Sequence, residues 1–190
     1  MPRLRRIACL LALIVSSAPP AWAEGFSVGV GAGLTNGRVD CVDTRSCDHS
    51  DGGWQLSAGY AVDEHIDIRA TWFDAGHFEG GNLASNILPF GGRFKVTGIG
   101  LTAGYGLDIA TDWRMTGRAG IAAVRTRFNP DDPAEGSSRK TLPQPLFGLD
   151  LAYQAAPGVQ VGLGYDLTRF KVHTTRGALQ TFGAFARYSF

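Results

Sequence analysis

The chain has 190 residues, 44% of them hydrophobic, and its 18 basic and 17 acidic residues give a formal charge of +1. That balance excludes an electrostatic case for nucleic-acid binding. After residue 23 no apolar run approaches the roughly 18 residues of a membrane helix, and helical i, i+3, i+4 patterning is absent, so the 26 glycines and frequent turn residues point to an all-β chain.

The chain begins with a basic segment, Arg3, Arg5 and Arg6, then an apolar run from Ile7 to Val15 and an A-x-A site at Ala21-Trp22-Ala23. This is the pattern of a signal peptide, and the apolar run is too short to span a bilayer. Residues 1–23 are therefore expected to be removed, leaving residues 24–190 as one domain with 15 basic and 17 acidic residues, or about −2. In an exported chain Cys41 and Cys47, six apart in a polar segment, are expected to form a disulfide. The other reading of the pair, as metal ligands, finds only His49 and nearby aspartates as partners.

Residues 25–34 alternate Phe26, Val28, Val30, Ala32 and Leu34 with serine and glycine, which predicts a strand. A long polar loop over 35–51 carries both cysteines, and a second strand over 52–61 sets Trp54, Leu56, Ala58 and Tyr60 against Gln55, Ser57 and Gly59. A tight turn at Val62-Asp63-Glu64 leads to strand three, 65–73, with Ile66, Ile68, Ala70 and Trp72 opposite Asp67, Arg69, Thr71 and Phe73. Residues 74–92 read as a Gly-rich loop and 93–107 as strand four, with Ile99, Leu101, Ala103, Tyr105 and Leu107 on one face and glycines on the other. After a short turn, strand five over 113–128 sets Trp113, Met115, Ala119, Ile121 and Ala123 against Arg114, Thr116, Arg118 and Gly120. Residues 129–143 read as a third loop. Strand six, 144–153, carries Phe147, Leu149, Leu151 and Tyr153 opposite Gly148, Asp150 and Ala152. Strand seven, 159–170, sets Val161, Leu163, Tyr165 and Leu167 against Gln160, Gly162, Gly164 and Asp166. A loop over 171–177 precedes the last strand, 178–190, with Phe182, Ala184, Ala186 and Tyr188 on one face and Arg187 on the other.

Eight strands of membrane-crossing length, joined alternately by long loops and short turns, predict an eight-stranded antiparallel up-and-down transmembrane β-barrel. Aromatic placement separates this from a soluble barrel with an apolar inside. All five tyrosines and the three tryptophans after residue 23 fall on the apolar face. They also sort by height: Tyr60, Tyr105, Trp113, Tyr153, Tyr188 and Phe190 near the short turns, and Trp54, Trp72, Phe147 and Phe182 near the long loops. Two rings around an aliphatic band form the girdles of a lipid-facing surface. The opposite face is polar and cannot meet hydrocarbon.

The leader, the eight alternating strands, the loop asymmetry and the terminal Tyr188-Ser189-Phe190 resemble the OmpA-like and OmpX-like family of small outer-membrane β-barrels. The resemblance implies residence in the outer membrane, contact with its lipid and lipopolysaccharide, and no cofactor. It further implies that a final strand ending in Tyr188 and Phe190 is read by the outer-membrane assembly machinery. Some OmpA proteins continue into a periplasmic peptidoglycan-binding domain; this chain ends at Phe190, so that role is not carried over.

Seven charges are expected to face the lumen: Asp67, Arg69, Arg114, Arg118, Asp150, Asp166 and Arg187. Their near balance favours an ion-paired plug over a gate, because an eight-stranded barrel is just wide enough for its side chains to fill it. Enzyme readings find little: lipid A deacylase barrels carry His-x-Ser with a nearby acid, whereas His173-Thr174-Thr175 is followed by no acidic residue. Asp74-x-x-His77-x-Glu79 offers three loop residues without a fourth metal ligand. Loop three places Asp131, Asp132 and Glu135 beside Arg139 and Lys140, a candidate contact for lipopolysaccharide phosphates. The expected function is a non-enzymatic structural or surface-interaction protein with its loops as contact surface for an extracellular ligand. A narrow channel is the alternative, and a lipid A-modifying enzyme a lesser one.

Overall fold

The computed structural model describes residues 25–38, 50–82, 90–130, 137–172 and 175–190. Its strands are β1 (Phe26–Arg38), β2 (Ser50–Ala61), β3 (Ile66–Asn82), β4 (Phe90–Ala110), β5 (Trp113–Pro130), β6 (Ser138–Ala156), β7 (Val159–Val172) and β8 (Thr175–Ser189). Each pairs antiparallel with its chain neighbour, and β1 pairs with β8 from Ser27↔Ser189 to Arg38↔Ala178, closing the barrel. Closure leaves the membrane-crossing segments without a free edge, which lipid would not tolerate.

The tight turns share one end. At the β2–β3 turn the Asp63 carboxylate accepts the amides of His65 and Ile66, each at 2.7 Å. These bonds favour the ionised form and hold its carboxyl below the usual carboxylate range. The turn therefore has this support above that range and loses it as pH falls through the lowered value.

Nearer the turns the alternation is apolar outward and polar inward. On β5, Trp113, Met115, Ala119, Ile121 and Ala123 face out, and Arg114, Thr116 and Arg118 face in. From Trp113 to Ala123 the strand rises roughly 25 Å along the membrane normal, at about 3.3 Å per residue and a tilt of about 40°. Beyond that height the chemistry reverses. Arg125 and Arg127 face out while Ala122 and Val124 are buried inside. Lys95 and Thr97 on β4 likewise flank the buried Val96.

This reversal corrects the predicted loop boundaries. The segments 74–92 and 129–143 contribute to strands: β3 reaches Asn82, β4 starts at Phe90, β5 reaches Pro130 and β6 starts at Ser138. Similarly, β1 continues to Arg38 and β2 starts at Ser50, inside the predicted 35–51 loop, while β7 reaches Val172 and β8 starts at Thr175. The ladders extend past the lipid as a water-facing barrel, with apolar side chains inside and polar ones outside.

One ladder is cut short. The β6–β7 pairing stops at Leu146↔Thr168, although β6 runs on to Ser138 and β7 to Val172. The Thr168 hydroxyl donates to the Pro145 carbonyl at 2.8 Å, so residue 145 faces β7, and residue 143 faces the same way. Pro143 and Pro145 thus lack their amide hydrogens on the edge where a β7 ladder would need them. On its other edge β6 stays paired with β5 as far as Phe128↔Ser138.

Candidate functional site

The lumen is the candidate site, and Asp150 on β6 is its centre. Its Oδ2 accepts Arg69 Nη1 from β3 at 2.6 Å and Arg187 Nη2 from β8 at 3.2 Å. Its Oδ1 accepts Arg118 Nη2 from β5 at 2.8 Å. Arg118 also reaches Asp166 Oδ1 on β7 at 2.9 Å, and Arg69 reaches Asp67 Oδ2 at 2.9 Å. Three arginines therefore meet three aspartates across five strands. Arg187 extends the network, donating to Gln160 Oε1 at 3.3 Å, and Gln160 donates to Gln154 Oε1 at 3.1 Å. The Arg69, Arg118 and Asp150 side chains are almost fully buried, so removing any one leaves opposite charges buried without their partner.

Six of the seven predicted lumen charges are brought together. Arg114 is the exception: it stands at the short-turn mouth, donating to the Glu64 carbonyl and lying 3.6 Å from Asp108. The inward glycines make room for the network. A β-carbon at Gly148 would lie 2.6 Å from Arg118 Cζ and 2.7 Å from Asp166 Oδ1.

The long-loop half of the lumen holds a cluster that the sequence reading missed. Ala75, Phe78, Val96, Ala122, Val124, Leu146, Phe170 and Leu179 are buried there, with Phe73 and Phe94 packed against them. The visible signal was Phe94-Lys95-Val96-Thr97, which alternates in the opposite chemical sense to Ile99-Gly100-Leu101-Thr102 on the same strand. A cavity of about 40 Å³ lies between this apolar cap and the ion network, touching Arg118, Asp166, Thr168 and Leu179. Below the network a vestibule of about 240 Å³ opens at the short-turn end, lined by Asp67, Arg69, Arg114 and Arg187 among others.

The predicted girdle residues Trp54, Tyr60, Trp72, Tyr105, Trp113, Phe147, Tyr153, Phe182 and Tyr188 are all exposed on the outer face, as is Phe190. Several pack in pairs, with ring centroids 4.6 Å apart for Trp54 and Trp72 and 5.1 Å for Tyr188 and Phe190, both edge to face, and 5.3 Å for the tilted pair Trp113 and Tyr153. Asp74 and His77 lie on β3, flanking a register shift, and not in a loop. Asp74 is committed to Lys95 at 3.1 Å, and the His77 amide donates to Asp51. Cys41, Cys47, Asp131, Asp132, Glu135 and His173 lie outside the described residues.

The model of the outer membrane protein beta-barrel domain family matches residues 7–190. No curated protein sequence matches the chain. Among solved structures it is similar to Neisserial surface protein A, with 20% identity, a TM-score of 0.65 and coverage of 88% of this chain and 98% of that one. It is also similar to the outer membrane protein OprG of Pseudomonas aeruginosa, at 11% identity and a TM-score of 0.60, over 88% of this chain and 96% of that one. Ail, the attachment invasion locus protein of Yersinia pestis, solved with the heparin analogue sucrose octasulfate, matches at 15% identity and a TM-score of 0.54, over 87% and 99%. At these identities the likeness is one of fold.

Proposed function

The chain belongs to the outer membrane protein beta-barrel domain family and resides in the outer membrane, and from that premise we propose that it is a non-enzymatic structural and surface-interaction protein with a closed lumen. The observation that carries this reading is Asp150 bound to three arginines beneath an apolar cap. A solute would have to break a balanced, desolvated network and then displace Phe78, Val96 and Phe170. A conducting pore instead keeps a hydrated path lined by charge.

With the inside closed, interaction falls to the outside. The strand ends beyond the long-loop girdle and the loops they carry form the contact surface for an extracellular ligand, and a Cys41–Cys47 disulfide stiffens the first of these loops. Tyr188 and Phe190 serve as the signal for the assembly machinery. Recording in planar bilayers tests the closed lumen: the purified barrel is expected to give no steady conductance. Steady conductance that changes on Arg118→Gln would establish a path through the network and overturn the reading.

A further inference from the structure

Outside the wall, just above the apolar band, three exposed arginines share one face: Arg125 and Arg127 on β5 and Arg139 on β6. The register sets Arg127 directly opposite Arg139 on one side and Lys95 on the other, a row of three cations across three strands. Side chains so opposed have β-carbons roughly 5 Å apart, and like charges there destabilise the pairing. Lys95 is balanced by Asp74. Among the described residues, none of the three arginines makes a salt bridge. Three guanidiniums held together against their own repulsion call for an anion.

Height identifies its source. One outward position below Arg125 and Thr141, Ala123 and Pro143 close the apolar band. The guanidiniums therefore stand where the outer leaflet's headgroups begin, with hydrocarbon-facing wall directly beneath. Guanidinium binds phosphate bidentately and sheds its water more readily than ammonium does. We propose that Arg125, Arg127 and Arg139 hold the phosphate groups of lipopolysaccharide in the outer leaflet, its acyl chains lying along Ala123 and Pro143. The site lies on the outer wall, so it goes beyond the closed-lumen reading and is independent of whether the barrel conducts.

The test compares the full barrel in detergent with an Arg127→Gln/Arg139→Gln variant, titrating each with lipopolysaccharide and with the same lipid stripped of its lipid A phosphates. Both side chains are exposed, and heat-dependent gel mobility verifies that the variant is folded. The variant is expected to bind the phosphorylated lipid at least about tenfold more weakly, as loss of charge-assisted bonds implies. The stripped lipid is expected to bind both proteins equally weakly. Binding is expected to survive chelation of divalent cations. Equal affinity of the two proteins for the phosphorylated lipid, the outcome if Asp131, Asp132 and Glu135 already supply the counter-charge, would overturn the proposal. So would loss of binding on chelation, which would mean cation bridging, or full competition by millimolar inorganic phosphate, which would make free phosphate the ligand.

Discussion

Replacing Asp150 with asparagine is expected to destabilise the folded barrel by about 3–5 kcal/mol, the cost of leaving a buried charge without its partner. The substitution keeps the shape and removes the one counter-charge shared by Arg69, Arg118 and Arg187. Asp67 and Asp166 remain, but each reaches only one arginine within salt-bridge distance. Adding Arg118→Gln restores equal numbers of opposite charges, so the double variant is expected to lose less than the two single losses summed, by at least about 1 kcal/mol. Urea unfolding of the barrel in micelles, followed by tryptophan fluorescence, measures all three. A single-variant loss below about 1 kcal/mol would show that the network is solvated and that the lumen is wetter than its geometry states.

The second large effect is at the closing seam. Gly33 on β1 faces Gly183 on β8, and the two backbones approach so closely that neither position has room for a side chain. A β-carbon at Gly183 would lie 2.7 Å from Gly33 Cα and press on the Ala32 carbonyl oxygen. These are backbone atoms, which cannot rotate away as a side chain would. Gly183→Val must therefore splay β1 from β8 and expose ladder groups to lipid, where each unsatisfied group costs several kcal/mol. The expected result is no heat-modifiable, folded species. Gly117→Val is the matched control: Gly117 faces outward with nothing within 4 Å of an added β-carbon, and this variant is expected to fold with stability unchanged within about 1 kcal/mol. Normal folding of Gly183→Val would contradict the closing geometry.

Much of the turn-side half of the barrel was legible in the sequence because lipid imposes a strict rule on it. Each outward position there must be apolar or small, and each polar residue must turn inward, so Asp67, Arg69, Arg118, Asp150, Asp166 and Arg187 could be assigned to the lumen by parity alone. Parity says nothing about height, which is why Arg114 was grouped with the network although it sits at the mouth beside Glu64 and Asp108. The outer half was less legible because the rule inverts at the membrane surface. Val96 and Val124 keep the inward parity of Thr102 and Arg118 while changing chemistry, so the pattern looks as if it dissolves into loop. Pro143-x-Pro145 reinforced that impression, since proline argues against a strand. Both prolines fit because the edge they occupy is the one that has no ladder to complete.

The inversion is also what a depth measurement can test most directly. Single spin labels at positions 115, 119, 121, 123, 125 and 127 of β5, with Cys41 and Cys47 replaced by serine, report their surroundings by power saturation in bilayers. Positions 115 to 123 are expected to be accessible to oxygen and shielded from a polar nickel chelate, and positions 125 and 127 to show the reverse. Labels at 125 and 127 as lipid-like as the one at 119, or labels at 119 and 121 open to the chelate, would contradict a barrel that is polar inside within the membrane and apolar inside above it.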